Sequence, residues 1–340
     1  MKAAVWNGPH DLSIQEVPIP SPGRGEVLVQ TRAVGICGSD LEIYNGSFKQ
    51  SVPPLILGHE GAGIVHEAGE DVSTIKKGDR VSVECILYCG HCEYCRKGSF
   101  GLCTSGGVLG MIGSQGEYAE YFVAPEKNCH ILPEKISWPE AGLVDTLAGP
   151  AYAIERVDIP LDGTVAVFGP GPAGLFFCKL AKLRGAGKVY LVGTREYRLK
   201  HGSTYGADVV INGTDEDAVQ RIHADTNGRG VDLVVEAAGS EKALNDSLRV
   251  LKRGGEFMLY GVFGGGPVSI DVQPIQIYEY TVVGSAMLNY RAAIKLIKNG
   301  QVPVADLVSH TFSLQQLPKA FSSGLIEQRK ENYMKGVVVF

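Results

Sequence analysis

Hydrophobic positions in the first 150 residues come in short runs separated by turn-forming residues. Val27–Thr31, Gly63–Glu67, Arg80–Val83 and Glu117–Val123 each read as a strand, with clusters such as Pro18-Ile19-Pro20-Ser21-Pro22-Gly23 between them. That spacing predicts an antiparallel, barrel-like unit. Past Pro150 the pattern changes. Thr164–Phe168 is short, uncharged and almost wholly apolar, which predicts a strand covered on both faces. A helical stretch, Ala173–Arg184, follows, then extended Lys188–Val192, a helix to about Tyr205 and extended Asp208–Ile211. Asp217–Ala224 (helical), Val231–Ala237 (extended), Lys242–Leu251 (helical) and Glu256–Val262 (extended) continue the alternation. Strands alternating with helices predict a parallel, doubly wound sheet and an α/β fold class. Beyond about residue 286, Tyr290–Lys298 reads as helical and Lys335–Phe340 as extended. No internal repeat is visible.

The first apolar strand of the second part runs into Gly169-Pro170-Gly171-Pro172-Ala173-Gly174, which opens a helix. In this strand–turn–helix context the first glycine permits the tight turn and the second lets backbone approach a pyrophosphate. The third allows close packing, and the helix N-terminus supplies N–H donors. Pro172 suits the first helical turn, where its missing N–H costs nothing. The pattern predicts a dinucleotide site. An NAD site usually has Asp or Glu at the end of the second strand. Here Gly193-Thr194-Arg195-Glu196 stands there instead. Gly193 leaves room for a 2′-phosphate, Thr194 offers a hydroxyl, and Arg195, helped by Arg198, offers a guanidinium. NADP is therefore expected, with NAD as the alternative if Glu196 takes the acid's role.

Composition narrows the function. With 32 basic and 37 acidic residues in 340, the net charge is -5, and no basic run speaks for nucleic acid or an anionic membrane as partner. No targeting segment stands out, and the longest uncharged stretch, Gly98–Gly116, is too rich in Gly and Ser for a membrane helix. A soluble cytoplasmic chain with reduced cysteines is the expectation. Glycine is abundant, 44 residues against a usual ~7%. The eight cysteines are too few for a disulfide scaffold of this length. Four of them, Cys89, Cys92, Cys95 and Cys103, follow C-x2-C-x2-C-x7-C, the density of a closed tetrahedral zinc site, with an iron–sulfur cluster as the chemical alternative. Cys37 and the pair His59-Glu60 are dispersed; Cys, His and a carboxylate are the mixed donors of an open zinc site. Cys85, Cys129 and Cys178 have no ligand partner near in sequence and read as packing residues.

These residues together resemble the zinc-dependent medium-chain dehydrogenase/reductase family, in the polyol and threonine dehydrogenase branch. Gly58-His59-Glu60 with Gly63 and Gly69, the four-cysteine lobe, the glycine turn and the closing Gly284-Ser285 carry the resemblance along nearly the whole chain. It implies a GroES-like β-barrel catalytic domain from residues 1–150 and 286–340, flanking a Rossmann domain from 151–285. It also implies an enzyme that moves a hydride between an alcohol and NADP, with two zinc ions per chain. Cys37 and His59 become catalytic zinc ligands, and Glu60 a ligand or exchanging ligand. Asp145 stands where alcohol dehydrogenases place a cysteine and polyol or threonine dehydrogenases an acid, which points to polyol, sugar alcohol or amino alcohol substrates. Ser39 matches the hydroxyl on the substrate oxygen. Glu42 replaces the relay histidine of many relatives, so the proton leaves through Glu42 or directly from Ser39 to water. A homodimer or homotetramer is expected, with Val282–Met287 as candidate interface, and specificity in Tyr44–Phe48, Met111–Ser114 and Asn289.

Overall fold

The computed structural model describes residues 1–264, 266–328 and 332–340. The chain divides into two compact units, Met1–Thr146 with Tyr290–Phe340, and Leu147–Asn289. Pro150 and residue 286, where the sequence pattern shifts, are not the observed boundaries. The helix Val144–Ala153 runs through Pro150, which removes one helical N–H bond without ending the helix.

In the first unit a seven-stranded sheet is organised by the strand Glu26–Gly35, whose burial pattern leaves only three residues partly exposed. Its early part pairs antiparallel with Tyr121–Pro125, its late part with Lys335–Val339, and its other edge with Glu60–Ala68 along its length. Register sets the position of the polar residues: Gly35 lies opposite Glu60 on one side and Val337 on the other. Cys37, Glu60 and Lys335, far apart in sequence, are thereby brought to one end of the sheet. The predicted strands Val27–Thr31, Gly63–Glu67 and Arg80–Val83 fall inside observed ones. The strand expected at Glu117–Val123 begins only at Tyr121, since Glu117 and Tyr118 bond back to Gly58 and Leu57. The hairpin Lys2–Gly8 with Asp11–Glu16 had no prediction.

In the second unit six parallel strands run Val209–Asn212, Lys188–Gly193, Thr164–Phe168, Val231–Glu236, Leu251–Leu259 and Thr281–Gly284 from edge to edge. The apolar Thr164–Phe168 is central, as its composition requires, and Val165 faces Val189 on one side and Leu233 on the other. The helix expected to reach Tyr205 stops at Leu199 and continues as turns to Gly206. The helix expected to end at Leu251 ends at Arg249, and the next strand starts at Leu251, five residues before the predicted Glu256. Its ladder skips from Leu251 to Glu256, so the Lys252–Gly255 stretch bulges out.

The N-terminal ends of the two central strands are clamped by Asp232. Its carboxylate accepts from the Thr164 amide (2.8 Å) and hydroxyl (2.7 Å) and pairs with Arg229 (2.7 Å) and Lys252 (2.6 Å). Burial opposes its charge, but these donors outweigh burial and hold its pKa far below the usual carboxylate range. A depressed carboxylate contributes stability fully above its unfolded pKa near 4 and loses it as acid protonates the folded state. Asp232→Asn is expected to destabilise the chain by about 2 kcal/mol at pH 7. Thermal unfolding across pH should show the gap to the native chain narrowing only below about pH 4; a gap independent of acid would refute the clamp.

Candidate metal centres and dinucleotide turn

The four-cysteine lobe gathers as the spacing predicts. The sulfurs of Cys89, Cys92, Cys95 and Cys103 lie within 4.8 Å of one another, with Cys89 and Cys95 at 4.0 Å and Cys92 and Cys103 at 3.9 Å. Four thiolates about 2.3 Å from one ion would sit about 3.8 Å apart, so the set fits a tetrahedral zinc. Backbone amides point at the sulfurs: the Cys92 amide at Cys89 (3.3 Å), the Cys89 amide at Cys103 (3.3 Å) and the Cys95 amide at Cys92 (3.5 Å). Donation from the Cys95 and Thr104 amides lowers the Cys92 thiol to about 6, favouring the thiolate a metal needs. All eight cysteines are free thiols.

Cys37, His59 and Glu60 form the second gathering, their ligand atoms also within 4.8 Å of one another, with His59 and Glu60 buried. Cys37 caps the seven-residue helix Gly38–Tyr44, and its amide donates to Asp40 at 2.9 Å. The other oxygen of Asp40 stands 3.2 Å from His59 Nδ1. That leaves Nε2 on the side of Ser39, whose hydroxyl is 3.5 Å away. Asp40, like His59, is buried. Burial raises the Asp40 pKa, but His59 and the Cys37 amide outweigh it and the result is low. Burial works against a charged His59, yet Asp40 and Cys37 hold its pKa well above the usual value. Sulfur, nitrogen and oxygen donors gathered in one set are the chemistry of an open zinc site. Glu60 is not a bare ligand: Thr146 donates to one oxygen at 3.1 Å and the buried Lys335 ammonium to the other.

Asp145 lies outside that ligand set. It accepts instead from the Tyr290 phenol at 2.7 Å, with the Cys85 thiol at 3.7 Å. Burial, reinforced by the charge of Glu60, lifts its pKa to about 6. Glu42 is half-buried on the same short helix as Ser39, and burial raises its pKa as well.

In the second unit Gly169 has φ +114°, which L side chains rarely adopt, and its amide donates to Val192 at 2.9 Å. Gly171 caps the twelve-residue helix Pro172–Leu183, so Pro172, Ala173 and Gly174 form its first turn. A Cβ on Gly174 would stand 1.8 Å from the Gly169 carbonyl oxygen. Gly169 and Gly174 thus have no room for side chains, and the close backbone makes a cradle that suits a pyrophosphate at a helix N-terminus. Gly193 behaves differently from its sequence reading. The Pro170 ring fills the place of its side chain, with a Cβ only 2.4 Å from Pro170 Cγ. The missing acid is required by packing, and the vacated volume is not open to a phosphate. Thr194 and Arg195 are exposed at the strand end, whereas Arg198 is buried with Nη1 3.5 Å from the Gly171 Cβ position.

Residues 23–134 match the alcohol dehydrogenase GroES-like domain and residues 172–299 the zinc-binding dehydrogenase domain. Sorbitol dehydrogenase of Bacillus subtilis (strain 168) is 34% identical over 99% of this chain and 97% of its own. The chain belongs to the zinc-dependent medium-chain dehydrogenase family, in its polyol-dehydrogenase-like branch. Among solved structures, one assigned as a zinc-binding dehydrogenase of Sinorhizobium meliloti 1021, bound to NADP, superposes with a TM-score of 0.92 at 31% identity. It covers 100% of this chain and 99% of that one. A short chain alcohol dehydrogenase of Escherichia coli CFT073 complexed with NADH has a TM-score of 0.91 at 30% identity, covering 100% and 99%. The GroES-like and Rossmann-like domains of an α/β dehydrogenase are therefore present, as is the family's use of zinc, a nicotinamide cofactor and a small alcohol substrate. Among the described residues no helix is long and apolar enough to cross a membrane.

For a medium-chain dehydrogenase, the sequence alone does not mark the residues that bond to the candidate ligands and to their neighbours. Asp40 had a signal, since it lies three residues after Cys37. Thr146, next to Asp145, had only that adjacency. Lys335 and Tyr118 had none, because their partners are 275 and 78 positions away. Buried Glu117 was read only as a strand residue. Burial pushes its pKa well up, and neither oxygen has a hydrogen-bond partner. Gly174→Ala is expected to weaken NADPH binding by about tenfold or more in a fluorescence titration, since the Gly169 carbonyl must move. Gly213→Ala, whose Cβ would make only an ordinary 3.6 Å contact, should bind as the native chain does; equal behaviour of the two would refute the cradle.

Proposed function

We propose that this dehydrogenase prefers NADP and holds two zinc ions, transferring a hydride between NADP and a secondary alcohol of a polyol or sugar alcohol. The observation that carries the reading is the gathering of half-buried Cys37 with buried His59 and Glu60, and the Ser39 hydroxyl 3.5 Å from His59. Cys37 and His59 would hold the catalytic zinc, with Glu60 as exchanging ligand and Asp145 as an acid behind it. Cys89, Cys92, Cys95 and Cys103 would hold the structural ion. When bound, zinc supplies Lewis-acid charge at the substrate oxygen and NADP the hydride acceptor. The chain's own residues do the rest. Ser39 would take the hydroxyl proton of the substrate, and Glu42, one turn along the same helix, would receive it on the way to water. Lys335 neutralises Glu60, so the buried site does not carry that carboxylate's charge unopposed.

For the cofactor, Gly193 no longer argues for NADP, because Pro170 requires it. Support comes from the exposed Thr194 and Arg195 at the strand end, from the Arg198 guanidinium beside Gly171, and from the NADP-bound Sinorhizobium relative. The NADH-bound Escherichia relative and the exposed Glu196 mark the alternative. Polyols are favoured over threonine or amino alcohols by the sorbitol dehydrogenase relative; rates on a panel of both classes at fixed NADP separate them. A homodimer or homotetramer, joined at the edge strand Thr281–Gly284 and the residues to Met287, completes the proposal.

Cys37→Ala is expected to lower zinc content by atomic emission from two to one per chain and to abolish turnover, with NADPH binding kept. Turnover at the native rate would exclude Cys37 as an essential ligand. Arg195→Ala should raise KM for NADP about tenfold and KM for NAD little, the loss of one charge-assisted phosphate contact. Equal changes for both cofactors would refute the phosphate assignment.

A further inference from the structure

We propose that Tyr118 is a positioning residue for the catalytic centre, its phenol holding the Asp40 carboxylate in the orientation that fixes His59. The inference rests on the reading of Cys37 and His59 as zinc ligands. Tyr118 is fully buried. Its hydroxyl is 2.8 Å from Asp40 Oδ2 and 3.1 Å from the Gly35 carbonyl. A phenol has one proton to give, and the charged oxygen at the shorter distance takes it. Asp40 then has Oδ2 occupied by two donors, the Tyr118 phenol and the Cys37 amide. Its Oδ1 is left facing His59 Nδ1 at 3.2 Å. With both donors on Oδ2, rotation of the buried carboxylate would break two hydrogen bonds at once. The Oδ1 charge beside Nδ1 favours a proton on that nitrogen, which leaves Nε2, the nitrogen beside Ser39, as the one to meet a metal.

The ring has a second contact with the same centre. Gly58 immediately precedes His59, and a Cβ there would stand 2.8 Å from Tyr118 Cγ and Cδ1. The Tyr118 amide donates to Leu57 at 2.9 Å. One side chain therefore braces both ligand-bearing segments: its ring lies on the backbone before His59, and its hydroxyl reaches the helix that Cys37 caps. Phenylalanine would keep the ring contact and lose only the hydroxyl. The two parts of the role are separable.

The test compares native chain, Tyr118→Phe, Asp40→Asn and the double variant, each loaded with zinc and challenged with a chromogenic chelator. The release phase missing from Cys37→Ala is assigned to the catalytic site, and the phase that remains reports the four-cysteine lobe. Tyr118→Phe is expected to release catalytic zinc about tenfold faster than the native chain, the usual size of an outer-shell loss, with the lobe phase unmoved. In the Asp40→Asn background the same change should add nothing, because the phenol acts through Asp40. Native-like release from Tyr118→Phe, or effects that multiply in the double variant, would overturn the inference while leaving the zinc reading intact. A native chain holding zinc only in the lobe would overturn both.

Discussion

A carboxylate with no access to water needs a cation or a set of donors, and Glu60 has both. The buried ion pair with Lys335 joins residues 275 apart and ties the C-terminal strand to Glu60 across the intervening strand Glu26–Gly35. Without Lys335, Glu60 would stand as an uncompensated charge beside half-buried Asp145 and buried Glu117, an arrangement that costs several kcal/mol. With it, the strand that begins at Lys335 pairs with the end of Glu26–Gly35, and a sheet built from both chain ends can close around a polar centre. The cation comes from the segment that returns to the first unit after Leu147–Asn289.

The other acids of this centre are handled one at a time, and each by a different device. Asp40 is kept charged by His59, by the Cys37 amide and by the Tyr118 phenol. Asp145, with a phenol and a thiol for partners, is shifted toward its neutral form. Glu117, whose oxygens lack a hydrogen-bond donor, is shifted in the same direction. The three carboxyls thus shift in different directions because their donors differ. The dinucleotide turn obeys a simpler rule. There the backbone itself must come close, and Gly169, Gly174 and Gly193 are each excluded from bearing a side chain by a neighbour already in place.

Sequence by itself determined the parts whose partners are near in the chain. The four cysteines sit within fifteen positions, so their spacing alone specified a closed thiolate set. The apolar Thr164–Phe168 and the glycines after it specified a buried strand, a tight turn and a helix, because each depends on local backbone geometry. Cys37 and His59-Glu60 were legible as ligand chemistry, and as one site only through the family resemblance, since nothing local shows that Gly35 pairs with Glu60. Tertiary structure alone decided the rest. It showed that Glu60 is paired, that Asp145 turns to Tyr290 rather than joining the ligand set, and that Pro170, not a phosphate, explains Gly193. It also brought in Tyr118 and Lys335, which no local pattern marks. The physical reason is common to all of these: burial makes a polar group's partner obligatory, but which residue serves as partner is set by strand register across the whole sheet.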